Sequence, residues 1–188
     1  IMNHQSTKYA VFHIEGGIGK HITAIPGIES YKLANQDREV IVVSGWPEIF
    51  LHNPHISRVY KIGNTPHFYK DFIFEKDVEI FAQEPYKTAQ HIKKQTNIID
   101  TWCDLFNVKR VVERPNIYFN FRERETAFRL IKQPIEKPIL LFQPFGGPGS
   151  GSQQDPYSWT RDIHPDIAQA LVNILKDKYS IIHVCYES

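Results

Sequence analysis

The run Lys8-Tyr9-Ala10-Val11-Phe12-His13-Ile14, its continuation Glu15-Gly16-Gly17-Ile18-Gly19-Lys20, and the later run Arg38-Glu39-Val40-Ile41-Val42-Val43-Ser44 decide the fold class. The first run is β-branched and aromatic, has no helical period and stops at glycines, which is the pattern of a buried strand entering a turn. Beyond the turn, Ile22, Ile25, Ile28 and Leu33 recur at helical spacing with Ala24 beside them. This spacing predicts a helix over 20–35, bent or starting late because Pro26 falls within its first two turns. The last run is nearly continuous in apolar residues, as parallel strands covered on both faces are. Residues 8–44 therefore read as a βαβ unit, and the fold class is α/β, Rossmann-like.

The same reading carries along the chain. A short helix is expected over 47–52, strands over 58–62, 78–82 and 116–119, a long helix over 86–106 and a charged, solvated helix over 121–132. Two prolines in Gln133-Pro134-Ile135-Glu136-Lys137-Pro138 mark a junction. After it the opening pattern returns: a strand over 139–143, a glycine-serine loop over 146–152, an amphipathic helix over 162–178 with Pro165 in its first turn, and a strand over 179–185. The expected organisation is one Rossmann-like domain over 1–134 and the first βαβ unit of another over 135–188. One such unit cannot cover both faces of a parallel sheet, so the 188 residues are expected to be part of a longer chain and inactive alone.

Composition narrows the function. The 22 basic and 21 acidic side chains leave a net charge of +1, without the basic excess that nucleic-acid binding uses. Apolar residues are 41%, as in soluble globular chains, and no apolar run is long enough to span a bilayer. No basic region followed by an apolar core opens the sequence, so a cytoplasmic location is expected. Cys103 and Cys185, far apart and without a CxxC pair, suit a reducing compartment as buried thiols.

Glycines between a strand and a helix let a ligand approach the backbone, and the helix N-terminus offers free N–H groups to an anion. Gly16, Gly17, Gly19 and Lys20 thus form a candidate acceptor or phosphate loop, and 146–152 a second, longer one. The first departs from a P-loop in two places: Ile14 stands where the leading glycine belongs, and His21 where a hydroxyl would ligate magnesium. A P-loop-like ATPase and an inactive Rossmann-like binding module remain the alternatives. No GxGxxG fingerprint occurs, and Ser44-Gly45 stands where a ribose-binding acid would follow the second strand, which argues against a nicotinamide enzyme. His52 and His55 have HxxH spacing without a nearby acid or thiol, so no metal site is expected.

The run from Gly16 to Ile28, then Val40-Ile41-Val42-Val43, then Asn53-Pro54-His55-Ile56-Ser57-Arg58-Val59-Tyr60, resembles the amino-terminal domain of glycosyltransferase family 9, the ADP-heptose:lipopolysaccharide heptosyltransferases. Gln143-Pro144-Phe145-Gly146-Gly147 through Trp159-Thr160-Arg161 is similar to the start of that family's second domain. The resemblance implies a GT-B architecture and an inverting, metal-independent transfer of a sugar from a nucleotide-sugar donor to a carbohydrate or lipid-linked acceptor. It implies no cofactor, no nucleic-acid partner, and compatibility with peripheral membrane association. Gly146, Gly147, Ser150, Gly151, Ser158, Thr160 and Arg161 would hold the donor.

The family places an aspartate, the presumed base, where this chain has Lys20. A lysine with an ordinary pKa is protonated near neutrality and cannot take a proton. Glu15 and His21, which flank the turn, are therefore the catalytic candidates, with Lys20 expected to meet a phosphate and His13 to be a packed core residue.

Overall fold

A computed structural model describes residues 7–130, 137–145 and 162–184. The chain divides between Glu125 and Thr126 into two units. In the first, strands β1 (Lys8–Ile14), β2 (Arg38–Ser44), β3 (Arg58–Lys61) and β4 (Asp77–Phe81) form a parallel sheet in the order β3-β2-β1-β4. The two-residue period of β1 sorts its side chains. Ala10, Phe12 and Ile14 point into the larger core with Val40, Val42 and Phe81, while Val11 joins Ile41, Val43 and Phe72 on the other face. That second face is covered by the segment after β3, whose Phe68 and Phe72 rings pack with each other and with Tyr60 of β3, edge to face or tilted, at 5.2 to 5.9 Å.

Helix α1 (Ile18–Ala34) lies on the larger core with Ala24, Ile25 and Ile28 fully buried. It starts two residues before the expected position and runs through Pro26 without ending. Its burial against the sheet and α3 (Ile98–Leu105) outweighs the one hydrogen bond that a proline removes. The stretch expected as one helix over 86–106 is instead three pieces: a 3-10 turn Pro85–Lys87, a single turn α2 (Ala89–Ile92), and α3. Thr88 caps α2 through His91 N and Asn97 caps α3 through Asp100 N, while Lys94 between them takes φ 55°. Two side-chain caps inside an apolar pattern restart the helix rather than continue it. The strand expected over 116–119 does not form, and α4 occupies Phe121–Leu130.

The Asn53-Pro54 element has a packing reason. Asn53, 4% exposed, donates from Nδ2 to the buried Glu29 carboxylate of α1 at 2.9 Å and accepts His55 N at 2.9 Å. It thus satisfies a buried acid while forming its own turn. At the opposite edge, Arg38 reaches across β1 to Asp77 and Glu79 of β4, each at 3.0 Å. Burial holds the Cys103 thiol up at about 11, consistent with an inert packed cysteine; Cys185 lies outside the described residues.

In the second unit, β5 (Ile139–Phe142) pairs in parallel with β6 (Ser180–His183), and α5 (Pro165–Leu175) connects them, capped by His164. Pro165 occupies the first helical position, as expected. Among the described residues no helix is long and apolar enough to cross a membrane.

Candidate functional site

β2 and β3 lie to one side of β1 and β4 to the other, so the chain reverses its direction across the sheet between β1 and β4. Loops leaving the carboxyl ends of two such strands part from each other, and the crevice they leave is where open α/β sheets bind ligands. Two depressions occupy it. One, of about 430 Å³, lies between the turn Gly16, Gly17, Gly19, Lys20 and the loop residues Glu84, Tyr86 and Lys87. The other, of about 220 Å³, is lined by His13, Glu15, Lys20, Ala82, Gln83 and Glu84. A 440 Å³ cavity in the second unit, between the β5–β6 pair and α5, is lined mainly by apolar groups such as Phe142, Phe145, Val172 and Ile181. It is open to solvent along Pro165, Gln169 and His183.

The glycine turn is shaped for access. Gly16 takes φ 97°, in the left-handed region that favours glycine, and a side chain there would meet Lys20 Cδ at 3.4 Å. A Cβ at Gly17 or Gly19 would meet nothing within 4 Å, so packing does not require glycine at either position. Their missing side chains keep the space above the turn open. Gly17 caps α1 without a side-chain hydrogen bond and no acid stands in the first turn, so the positive end of the helix dipole is uncompensated by its own residues. Trp46 closes the flank, donating from its indole to Gly16 O at 3.1 Å.

Lys20 and Glu84 meet across the crevice. The Lys20 ammonium, 9% exposed, donates to the Glu84 carboxylate. Glu84 also accepts Tyr86 N at 3.4 Å, capping the turn that leaves β4. Burial would push the Glu84 carboxyl up, but the hydrogen bond from Lys20, the Tyr86 N–H and the nearby positive charges outweigh it and hold it below the usual carboxylate range. A carboxyl lowered in the folded state stabilises above its unfolded pKa, and that contribution disappears as pH falls through the ordinary carboxylate range to the folded value. The difference in urea midpoint between wild type and Lys20→Met is therefore expected to be larger near neutrality than at about pH 3. Because 36% of the Glu84 side chain is exposed, the pH-dependent part is about 0.5 kcal/mol or less. A difference that grows on acidification would contradict the pairing.

The sequence candidates separate. Glu15 opens on the smaller depression, two-thirds exposed, with His13 Nε2 at 3.5 Å. His13, expected in the core, points to the second face of the sheet and borders the same depression. His21 lies under the turn rather than in the crevice: it is fully buried, with Nδ1 at 2.9 Å from Gly17 O and Nε2 at 2.9 Å from Ile14 O. Both ring nitrogens face backbone carbonyls beneath the turn and His21 lines neither depression, so its ring does not reach an acceptor hydroxyl there, and the expectation of a catalytic His21 is corrected to an anchor of the turn. Lys20, expected to meet phosphate, is paired with Glu84. His52 Nε2 faces Asn120 Nδ2 at 3.1 Å and the Glu123 carboxylate at 3.6 Å, while the His55 backbone N–H donates to Asn53 Oδ1. Gly146, Gly147, Ser150, Gly151, Ser158, Thr160 and Arg161 lie outside the described residues.

Sequence reasoning missed Glu84, Tyr86 and Lys87. The available signal was a polar Gln83-Glu84-Pro85 segment at the carboxyl end of a parallel strand.

The fold is shared with solved glycosyltransferases. A glycosyl transferase family 9 structure from Veillonella parvula DSM 2008 matches 95% of this chain at a TM-score of 0.67 and 12% identity, over 62% of its own length. The E. coli ADP-heptose lps heptosyltransferase II matches 94% at 0.59 and 11% identity, over 63% of its length. An E. coli heptosyltransferase solved with ADP matches 96% at 0.53 and 9% identity, over 67% of its length. The chain thus spans about three fifths of the length of the first two. At these identities the likeness is one of fold, and it places the α/β parallel-sheet architecture among these transferases. No protein-family model and no curated protein matches the sequence.

Proposed function

We propose that this chain is the acceptor-side domain of a GT-B glycosyltransferase together with the start of its nucleotide-sugar-binding domain. The enzyme would move a sugar from a nucleotide-sugar donor to a hydroxyl of a glycan or lipopolysaccharide-type acceptor, with inversion and without a bound metal. One observation carries the reading: in a fold shared with glycosyltransferases, a crevice bordered by a glycine turn and by the charged groups Glu15, Lys20, Glu84 and Lys87 opens where β1 and β4 part. Its floor is unoccupied by side chains at Gly17 and Gly19, its helix end favours developing negative charge, and its walls carry carboxylates that can receive a hydroxyl proton. The glycine-serine loop after β5, with Ser158, Thr160 and Arg161, would hold the donor diphosphate. Peripheral association with a membrane carrying the acceptor fits this reading.

Calorimetric titration of the full-length protein with ADP-, GDP- and UDP-sugars, followed by nucleoside-diphosphate release assays with carbohydrate acceptors, tests it. Binding of one donor class, and release that survives EDTA, is the expected result. Magnesium-dependent ATP turnover abolished by Lys20→Ala, with no donor bound, would overturn it in favour of a nucleotide-hydrolysing protein.

A further inference from the structure

We propose that Glu84 is the proton acceptor of the crevice and Lys20 the residue that positions it, an inference that rests on the glycosyl-transfer reading above. Glu84 borders both depressions, and with Lys20 it forms the partition between them. A hydroxyl seated in either one therefore meets the same carboxylate. The charged and titratable groups facing it are His13 and Glu15 from the end of β1, Lys20 from α1, and Tyr86 and Lys87 from its own turn.

Among these, Glu84 is the carboxylate the fold holds still. Lys20 ties it to α1, the Tyr86 N–H ties it to its own turn, and Pro85 restricts the backbone directly after it. Glu15 has one such contact, His13 at 3.5 Å, and stands two-thirds exposed. His21 is fully buried beneath the turn and lines neither depression. Lysine is seldom nine-tenths buried unless paired, and here the buried Lys20 is held by a Glu84 carboxylate that stays partly open to the crevice. Such a pair in a cleft points to a functional role.

In the step this geometry supports, the acceptor oxygen forms its bond to the anomeric carbon on the face opposite the diphosphate. The bond from that carbon to the diphosphate oxygen breaks, and the diphosphate leaves with the electron pair. The hydroxyl proton passes to a Glu84 carboxylate oxygen. The proton moves late, after the acceptor oxygen has become acidic through bonding to carbon, so a carboxylate kept ionised by Lys20 suffices as base. Lys20 itself exchanges no proton.

Two measurements on the full-length protein, with its donor-side domain complete, test this. In diphosphate release from the ADP-, GDP- or UDP-sugar that binds, Glu84→Gln is expected to lower turnover about 100-fold or more, with donor affinity held within about threefold. Lys20→Met should move the acid limb of the pH–rate profile upward toward the ordinary carboxylate range. Carboxyl ¹³C titration by NMR should show the Glu84 signal moving the same way, a change that loss of packing alone would not produce. Wild-type turnover in Glu84→Gln, or a Glu84 titration indifferent to Lys20→Met, overturns the inference while leaving the transferase reading intact. A full-length wild-type protein, with its donor-side domain complete, that turns over none of the three donors sinks both.

Discussion

Phe12→Ala is expected to lower the unfolding free energy by about 4 kcal/mol, among the largest effects of any single substitution in this chain. Phe12 is fully buried in the middle of β1, and its ring stacks on Phe81 of β4 at 4.9 Å and meets Phe106, just after α3, edge-on at 4.7 Å. Tyr31 of α1 closes the cluster at 5.2 Å. One side chain therefore joins both strands that bound the crevice to the two helices that cover them. Its loss removes the transfer free energy of a buried aromatic and leaves a cavity that neighbours on three other elements cannot collapse together to fill. Urea unfolding followed by tryptophan fluorescence measures it. A loss under about 1.5 kcal/mol would show that the cluster relaxes and does not carry the domain.

Gly27→Val is expected to cost about 3 kcal/mol by the opposite route, overpacking. A Cβ at Gly27 would stand 3.0 and 3.1 Å from the Phe106 ring and 3.3 Å from Trp102 Cβ, where α1 crosses α3. Phe106 is 2% exposed and Trp102 1%, and they stack on each other at 5.3 Å, so neither has room to retreat. Gly27→Ala should cost much less. One methyl needs a shift of a few tenths of an ångström, and alanine regains about 1 kcal/mol of helix propensity over glycine. Equal urea midpoints for the Val and Ala variants would mean the helices separate freely, and the close-approach argument would fail.

Much of the fold was legible because its signals are local. β1 and β2 form over the residues expected for them, since a run of β-branched residues between a turn and a helix needs no distant information. The glycine turn was legible as an access point for the same reason. The long helix over 86–106 was misread because its apolar spacing outlasts its hydrogen bonding. Thr88 and Asn97 each cap a fresh start, and a side-chain cap competes successfully with one more turn when the intervening residues are exposed and polar. Pro26 misled in the other direction, because tertiary burial carries α1 past a residue that would break an isolated helix.

The candidate site divides along the same line. Glu15, Gly16, Gly17, Gly19 and Lys20 could be named from their place between a strand and a helix. What they face could not. Nothing within 50 residues of Lys20 announces Glu84, and only the pairing of β4 beside β1 brings the carboxylate to the lysine and turns a glycine turn into one wall of a crevice. His21 shows the complement: adjacency in sequence made it a candidate, and the direction of its side chain, inward to two carbonyls, withdrew it. The sequence by itself determined the strands, the turn and the α/β class, because hydrophobic period and backbone preference act over a few residues. Only the tertiary structure decided strand order, and with it which charges meet, because strand pairing is won by long-range burial that no local pattern encodes.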